Sequence, residues 1–241
     1  MRLSHFLAQA GVASRRKAEA LIIEKAVKVN GVVVGTLGSN VGSKDRVEVN
    51  GRRVQASTKI YRLLLKPRAC LATLVRSGAR PTLARYVRDA EPGLEVAAPL
   101  DFPAEGVVLL TNDGELRQAL AKGSNKKSGG VPMTYHIKFQ GLVTADEIAR
   151  LGRGWRADGR LVRPTAIEAL AKTEKNTWVE MVVTEPRPRA LKAAGELLRH
   201  TVLKVSRIRM GALSFEGLAM GGWRDLTKAE IGDLRRRAGL E

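Results

Sequence analysis

Cysteine and histidine are nearly missing from this chain of 241 residues, which has one cysteine, Cys70, and three histidines, His5, His136 and His200. A single cysteine cannot close an internal disulfide, and it cannot supply the several thiolates of a structural zinc site. Three scattered histidines are too few for a histidine-rich metal centre. The sequence therefore predicts a protein without disulfides or bound metal, and it offers no motif for a cofactor.

Aromatic residues and long apolar runs are also scarce. Aromatics make up 4% of the chain, which disfavours single-strand binding by successive stacking platforms. No uninterrupted apolar run approaches the roughly 18 residues that cross a bilayer. The first residues, Met1 to His5, lack the apolar stretch of a signal peptide. We therefore expect a soluble cytoplasmic protein with no membrane partner.

Acidic residues are outnumbered, since 24 Asp and Glu stand against 42 Lys and Arg and give a formal charge of +18. Hydrophobic residues reach 44%, which is enough for a core and argues against disorder. A strong positive field with few aromatics suits the phosphate backbone of folded RNA. A basic protein of the ribosomal type and a basic RNA-modifying enzyme both fit this composition.

Residues 1–58 predict a small helix-turn-helix followed by a sheet. A helix is expected over residues 3–10, with Ser4 as its N-cap and Gly11 as its stop. A second helix is expected after Ser14. Alternating valines around the pairs Asn30-Gly31 and Asn50-Gly51 predict two hairpins. We expect the second helix to bury one apolar face, made of Ala18, Ala20, Leu21, Ile22 and Ile23.

Residues 59–241 predict a larger α+β domain with a mostly antiparallel sheet, because few βαβ crossovers fit the spacing of its elements. Capping boxes at Thr144…Glu147 and Thr227…Glu230 mark the starts of two helices. Residues 122–132 combine Gly, Ser and Lys without apolar periodicity and predict a mobile basic loop. Strands are expected at 60–65, 94–100, 107–111, 135–139, 166–170, 178–183 and 202–210, and further helices at 83–87, 115–121 and 189–198.

Charge is spread over both parts. Up to Lys59, eleven Lys and Arg against four Asp and Glu give a net charge of +7, which leaves +11 for the rest. Between Arg187 and Arg209 there are seven cations and one acid, Glu196, distributed over a loop, a helix and a strand. Because such elements converge on one groove more readily than a single helix face does, we expect phosphate binding there.

Asp101 and Tyr135 are the candidates for chemistry. Asp101 ends an apolar segment just before another apolar strand, which is a usual place for a nucleophile or general base. The same position suits a turn aspartate ahead of Pro103. Tyr135 begins a strand, where a lone tyrosine is more often a core or rim residue. Neither residue identifies a reaction by itself.

Longer motifs resemble a known family. The opening RLSHFLAQAGVASRRKAEALIIEKAVKVNGVVV is similar to the S4-type RNA-binding domain. The segment LEVAAPLDFPAEGVVLLTNDGEL resembles the catalytic-aspartate motif of the RsuA-type ribosomal pseudouridine synthases. Further similar segments follow in the family's order, namely LLLKPRACLATLVRSGARPT, MTYHIKF, EPRPRALKAAGELLRH and SRIRMGALSFEGLAMGGWRDLT.

The resemblance implies a monomer that binds ribosomal RNA, or a precursor of a ribosomal subunit, and isomerises one uridine without a cofactor. Asp101 would start the cleavage of the glycosidic bond, and Tyr135 would pack against the base. Lys192 or Arg189 would pair with Asp101 and keep it ionised. We expect RNA contacts from twelve cations: Arg2, Arg15, Arg16, Lys17, Lys25, Lys28, Lys66, Arg80, Arg187, Arg189, Arg207 and Arg209.

Departures from the family pattern cluster around the expected site. Pro99, Met133 and Ala193 stand where the family usually has basic residues, and Pro186 and Pro188 stiffen the arginine-rich segment. These changes favour a second hypothesis, a catalytically silent relative that binds ribosomal RNA as an assembly or ribosome-associated factor. A third hypothesis is a purely electrostatic RNA binder, whose affinity would collapse with salt for every RNA alike.

Overall fold

The computed structural model describes residues 1–13, 15–42, 44–55, 58–87, 90–91, 93–123, 129–184 and 189–240. It divides into two compact units. The first contains residues 1–60 with 89–94 and 111–114, and the second contains 61–88, 95–110 and 115–241. Both units combine helices and strands, as the α+β prediction required. The predicted boundary at residues 58 and 59 lies close to the end of the first unit's main segment.

The first unit places two helices beside a four-stranded antiparallel sheet of order β2-β1-β3-β4. The predicted N-cap is wrong, because Ser4 lies inside the first helix and Arg2 precedes it without a side-chain cap. The predicted buried face is also partly wrong, because Ala20 and Ile23 are exposed. Its elements are α1 (Leu3–Gln9), α2 (Arg15–Ile23), β1 (Val27–Val29), β2 (Val32–Val34), β3 (Val47–Val49) and β4 (Arg52–Val54).

Both predicted hairpins of this unit are present. Asn30 and Gly31 connect β1 to β2 with φ of 51° and 83°, and Asn50 and Gly51 connect β3 to β4 with φ of 50° and 75°. Left-handed φ at both central residues is the geometry that Asn-Gly pairs favour in two-residue hairpin loops. The core beneath consists of small aliphatic side chains, namely Leu3, Leu7, Ala18, Ile22, Val27, Val41, Val47 and Val49.

The second unit is built on one large mixed sheet with helices packed on it. The order along its main path is β11-β12-β8-β13-β7-β5-β15. The elements, in chain order, are β5 (Tyr61–Lys66), β6 (Glu95–Ala97), β7 (Glu105–Thr111), α3 (Gly114–Lys122), β8 (Met133–Gln140), α4 (Ala145–Gly152), β9 (Trp155–Ala157), β10 (Arg160–Val162), β11 (Ala166–Lys172), β12 (Asn176–Val183), α5 (Arg189–Leu198), β13 (Val202–Met210), β14 (Leu213–Ser214), β15 (Trp223–Asp225) and α6 (Lys228–Arg237).

The ladders of this sheet whose register is described are antiparallel, except for the one between β13 and β7. β8 pairs with β12 on one side and with β13 on the other, both antiparallel, whereas β13 and β7 run parallel. The parallel contact depends on Gly106, whose φ is +121° and whose missing side chain leaves room for the main chain of Arg207. A Cβ at position 106 would collide with that main chain. This close approach brings the segment before β7 next to β13.

Both predicted capping boxes form with both of their hydrogen bonds, at the starts of α4 and α6. The short hairpin β9–β10 and the strands β14 and β15 were not predicted, because two- and three-residue strands carry little alternating pattern. A single 3-10 turn, Leu83–Arg85, stands where a helix was expected. Most of the predicted mobile loop, residues 124–128, lies outside the described residues.

Candidate active site

Asp101 lies in the connection between β6 and β7. Its side chain is half-buried, and its carbonyl oxygen accepts a hydrogen bond from the amide of Ala104 at 3.1 Å, which closes a tight turn. Ala98, three residues before it, has a φ of 47° in the left-handed region. Only a minority of residues other than glycine adopt this conformation, so surrounding contacts must hold it.

Lys66, at the end of β5, contacts the main chain that follows Asp101. Its side chain is fully buried, and Nζ donates to the carbonyl oxygens of Ala104 at 2.6 Å and of Phe102 at 3.4 Å. A third hydrogen bond reaches the carbonyl of Pro67 at 3.1 Å. All three donor hydrogens of the ammonium group are thereby used. The predicted RNA contact of Lys66 is wrong, because a side chain with no exposed surface cannot reach a phosphate.

Burial lowers the pKa of Lys66 to about 8 from its ordinary 10.5, because the charged ammonium loses its hydration. The carboxylates of Asp101 and Glu105 and the thiol of Cys70 raise the pKa of Lys66, and Arg207 lowers it further. The charge of Asp101 therefore acts on Lys66 in a poorly solvated region. It is mostly protonated at neutral pH and approaches half-protonation near pH 8.

Arg207, on β13, contacts the main chain that precedes Asp101. Both terminal nitrogens of its guanidinium donate to the carbonyl oxygen of Ala98, at 2.9 and 2.6 Å. The side chain is completely buried, and burial lowers the pKa of the guanidinium. Among the residues that the structure describes, its Nε has no hydrogen-bond partner. RNA contact by Arg207 is also a wrong prediction, because its exposed area is zero.

Tyr135 lies opposite Arg207 in the ladder between β8 and β13. The guanidinium carbon of Arg207 is 5.7 Å from the centre of the tyrosine ring, and the tyrosine hydroxyl donates to Sδ of Met133 at 3.6 Å. Sδ of Met133 also accepts from Arg207 at 3.4 Å. Tyr135 is 1% exposed, so its ring lies inside this cluster and is not open to solvent.

Asp101 and Lys192 line the same cleft, a small one of about 40 Å³. Pro103, Ala104 and the first part of β13 complete its walls. Lys192 is exposed on α5, and among the described residues it forms no ion pair with Asp101 within 4.0 Å. The structure thus brings together the two residues that the sequence suggested as partners, without forming their ion pair.

A groove of three arginines, missed by the sequence analysis apart from Arg80, lies close to the aspartate turn. Arg76, Arg80 and Arg85 line a groove of about 440 Å³, here called the arginine groove. All three are exposed, and none forms an ion pair within the described part of the chain. The guanidinium of Arg80 lies 5.5 Å from the ring centre of Phe102, the residue after Asp101. The sequence carries no periodic signal for this groove, because Arg76 and Arg80 lie in an irregular segment.

The remaining cations predicted to contact RNA are exposed in the described residues. Arg15 pairs with Glu19 at 3.6 Å, and Arg2 donates to the carbonyl of Gly38. Arg187 lies outside the described residues. The exposed members of the predicted set are Arg2, Arg15, Arg16, Lys17, Lys25, Lys28, Arg80, Arg189 and Arg209.

Metal and membrane motifs are both missing from the part of the chain that the structure describes. No group of three or more His, Cys, Asp or Glu side chains there has the arrangement of a metal site. No helix among those residues is long and apolar enough to cross a membrane.

Similarity to known proteins extends over the whole chain. Residues 1–47 match the S4 domain family. A relative from Aquifex aeolicus, described as an uncharacterized RNA pseudouridine synthase, is 35% identical over all of this chain and 96% of its own length. The ribosomal large subunit pseudouridine synthase B of Bacillus subtilis is 34% identical over 98% of this chain and 96% of its own length.

A solved structure shares the fold. It is described as a pseudouridylate synthase and covers 97% of this chain and 99% of its own, with a TM-score of 0.65 and 24% identity. Together with the sequence relatives, this match confirms the family resemblance and the predicted fold class.

Proposed function

The chain belongs to the RNA pseudouridine synthase family, and from that premise we propose that it binds ribosomal RNA and isomerises one specific uridine to pseudouridine with Asp101 as the reacting carboxylate. The observation that carries the proposal is the position of Asp101, half-buried at a cleft that Lys192 also lines. A nucleophile needs this combination of access and a nearby positive charge.

The reaction breaks one bond and forms another at the same sugar carbon. The Asp101 carboxylate initiates cleavage of the bond between the ribose C1′ and N1 of uracil. The base then rotates within the site and rejoins C1′ through C5. The hydrogen on C5 is lost and N1 gains one, so the product is an isomer and no electrons are exchanged with a partner. Lys192 places a positive charge at the same cleft as Asp101.

Tyr135 is proposed to contact the uracil ring and to assist removal of the C5 proton. Because its ring is 1% exposed, the base reaches it only if the closed cluster opens on RNA binding. In this proposal the opening occurs together with base flipping, which itself costs a few kcal/mol of lost stacking and pairing.

RNA binding offsets that cost through contacts with phosphates. In this proposal the first unit contacts the RNA backbone through its exposed cations, and the second unit does so through Arg80, Arg189 and Arg209. The enzyme acts as a cytoplasmic monomer on ribosomal RNA or on a precursor of a ribosomal subunit. Its net charge of +18 supports binding to a polyanion of this kind.

The test is substitution of the carboxylate in cells. Pseudouridine is mapped across the ribosomal RNA of cells that lack this gene and that are complemented with the wild-type protein, with Asp101→Asn or with Asp158→Asn. Asp158 is an exposed turn residue with a φ of 49°, which asparagine also tolerates, so it is a matched control.

We expect one uridine to be modified by the wild type and by Asp158→Asn, and to stay unmodified with Asp101→Asn. Modification that persists with Asp101→Asn would refute the role of the carboxylate. A wild-type protein that remains bound to ribosomal particles without producing pseudouridine would establish the silent rRNA-binding factor in place of the enzyme.

A further inference from the structure

The turn that carries Asp101 is held on both sides by buried cations. Arg207 donates two hydrogen bonds to the carbonyl of Ala98, three residues before the aspartate. Lys66 donates to the carbonyls of Phe102 and Ala104, one and three residues after it. The two cations come from β13 and β5, which lie on opposite sides of β7 in the sheet.

We propose that Lys66 and Arg207 are positioning residues of the enzyme, which fix the main chain on both sides of Asp101 so that its carboxylate faces the cleft in one orientation. The effect on catalysis rests on the proposed function, whereas the hydrogen bonds that hold the turn do not depend on it.

The energetic cost of the arrangement argues against a purely structural role. Both cations are fully buried, so each loses the hydration of its charge. Within the described residues neither forms an ion pair with a carboxylate that would offset this loss. Nε of Arg207 also has no hydrogen-bond partner in the described part of the chain, and an unsatisfied buried donor costs about 1–3 kcal/mol. An apolar side chain of similar volume would stabilise the fold more cheaply. What an apolar side chain cannot do is bind carbonyl oxygens and hold a strained turn.

The strained residue of the turn, Ala98, is the one that Arg207 contacts. Ala98 is held with a φ of 47°, a conformation that alanine leaves readily, and its carbonyl receives both hydrogen bonds of Arg207. Phe102 accepts from the amide of Cys70 at 3.3 Å as well as from Lys66. Without these donors the turn is free to relax, and a displacement of about 1 Å at a reacting group costs about a hundredfold in rate.

Lys66 has a further property that distinguishes positioning from packing. The groups that face it are Asp101 and Glu105 near the turn, Cys70 after β5, and Arg207 from β13, and burial leaves its pKa at about 8. Loss of its proton removes a donor and a positive charge beside Asp101. The rate should therefore fall as the pH rises through about 8, while arginine at the same position would not titrate there.

The activity experiment compares wild type, Lys66→Met, Lys66→Arg and Lys172→Met as full-length proteins on unmodified transcripts of the ribosomal RNA. Lys172 is exposed on β11 and controls for the loss of one lysine. Single-turnover rates and RNA dissociation constants are measured from neutral pH to about pH 9.5.

We expect Lys66→Met to slow turnover by about tenfold or more, with an RNA dissociation constant within about threefold of wild type, because Lys66 touches no solvent. Wild type should show an alkaline loss of rate with an apparent pKa of about 8. Lys66→Arg should keep the hydrogen bonds and lack that loss. A wild-type rate in Lys66→Met, or an unchanged alkaline loss in Lys66→Arg, would overturn the proposal.

A second measurement needs no activity. Hydrogen exchange of the amides in residues 98–104 should be faster in Lys66→Met and in Arg207→Lys than in wild type or Lys172→Met. Unchanged exchange in both variants would reject the positioning role even for an active enzyme. Faster exchange in the two variants, combined with a wild-type protein that forms no pseudouridine, would show that these cations hold the turn and would reject the proposed function. If Lys66→Met does not fold, Lys66→Arg and Arg207→Lys still decide the outcome.

Discussion

Arg207 holds the carbonyl oxygen of Ala98 between the two terminal nitrogens of its guanidinium, at 2.9 and 2.6 Å. The contact joins strand β13 to the turn before Asp101, across more than a hundred residues of sequence. It uses the planar fork of arginine on a neutral acceptor, although this fork usually pairs with carboxylate or phosphate. The guanidinium is therefore enclosed in this structure, and its contacts are with the main chain of the turn.

Lys66 should oppose folding at neutral pH and do so less as the pH rises. Its pKa is about 8 in the folded protein and 10.5 when unfolded, so between these values the unfolded chain binds more protons and stability rises with pH. The free energy of unfolding of wild type should gain up to about 3 kcal/mol from Lys66 over this range. Urea unfolding of wild type and Lys66→Met measures the difference, which should change with pH in that window. A difference that stays constant from pH 7 to above pH 10 would contradict the buried, titrating lysine.

Gly106→Ala should be severely destabilising. A Cβ at this position meets the main chain of Arg207, and the φ of +121° is unfavourable for alanine. We expect a loss of at least about 3 kcal/mol in the free energy of unfolding, since main-chain atoms cannot move aside without separating β7 from β13. Gly159→Ala is the matched control, because Gly159 also has a positive φ, +75°, with open space around it, and should lose only about 1 kcal/mol. Equal losses in thermal or urea unfolding would show that conformation alone matters at position 106.

The arginine groove should contribute to RNA affinity through phosphates. Replacing Arg76, Arg80 and Arg85 together by glutamine removes three unpaired charges beside the aspartate turn. The slope of log affinity against log salt should fall by about 2, because each phosphate contact contributes about 0.7–0.9.

The control for that triple variant removes the same charge elsewhere on the second unit. Arg150, Arg156 and Arg160 are exposed and line no part of the groove. Filter-binding titrations with a ribosomal RNA transcript at several salt concentrations compare the two variants. Equal slopes would mean that the groove acts only through net charge.

Glu230 should stabilise the last helix in a pH-dependent way. Two hydrogen bonds from Arg224, at 2.9 and 2.6 Å, together with the capping box of Thr227, lower the pKa of Glu230 to about 2. A lowered pKa means stability that is present above the unfolded value of 4.5 and lost as the pH falls towards 2. Glu230→Gln should therefore lose about 1 kcal/mol at neutral pH, and the loss should shrink in acid. Thermal unfolding at neutral and at acidic pH measures the loss, and Glu216→Gln, on an exposed turn, is the control variant. A loss of stability in Glu230→Gln that is equally large in acid would exclude the ionic contribution.

Local signals in the sequence were sufficient for many elements. Asn-Gly pairs predict two hairpins because only a few residue types adopt left-handed φ readily, and Thr-x-x-Glu predicts two helix starts because the cap is made by neighbouring residues. Helix α5 and strand β13 have the predicted bounds, 189–198 and 202–210. The buried face of α2 was less predictable, because whether Ala20 and Ile23 are covered depends on the sheet beneath and not on the helix.

The candidate site was predictable as a set of residues but not as a set of contacts. The family resemblance named Asp101, Tyr135 and Lys192, and the structure brings Asp101 and Lys192 to one cleft. It was wrong for Lys66 and Arg207, which were expected on the RNA surface. A lysine at the end of an apolar strand and an arginine in an alternating strand look like surface cations, since charged residues are rarely buried.

By itself the sequence determined the family, the α+β class, the excess of positive charge and the position of the candidate carboxylate Asp101 along the chain. These follow from composition, from local backbone preferences and from motifs of neighbouring residues. Only the tertiary structure decided which cations face solvent and which are enclosed. Strand β13 carries Arg207, which is buried, and Arg209, which is exposed, with a register irregularity between them. Arg207 pairs with Tyr135 on one side and with Gly106 on the other. Burial depends on residues distant in the chain, because solvent is excluded by whatever packs against a side chain and not by its neighbours in sequence.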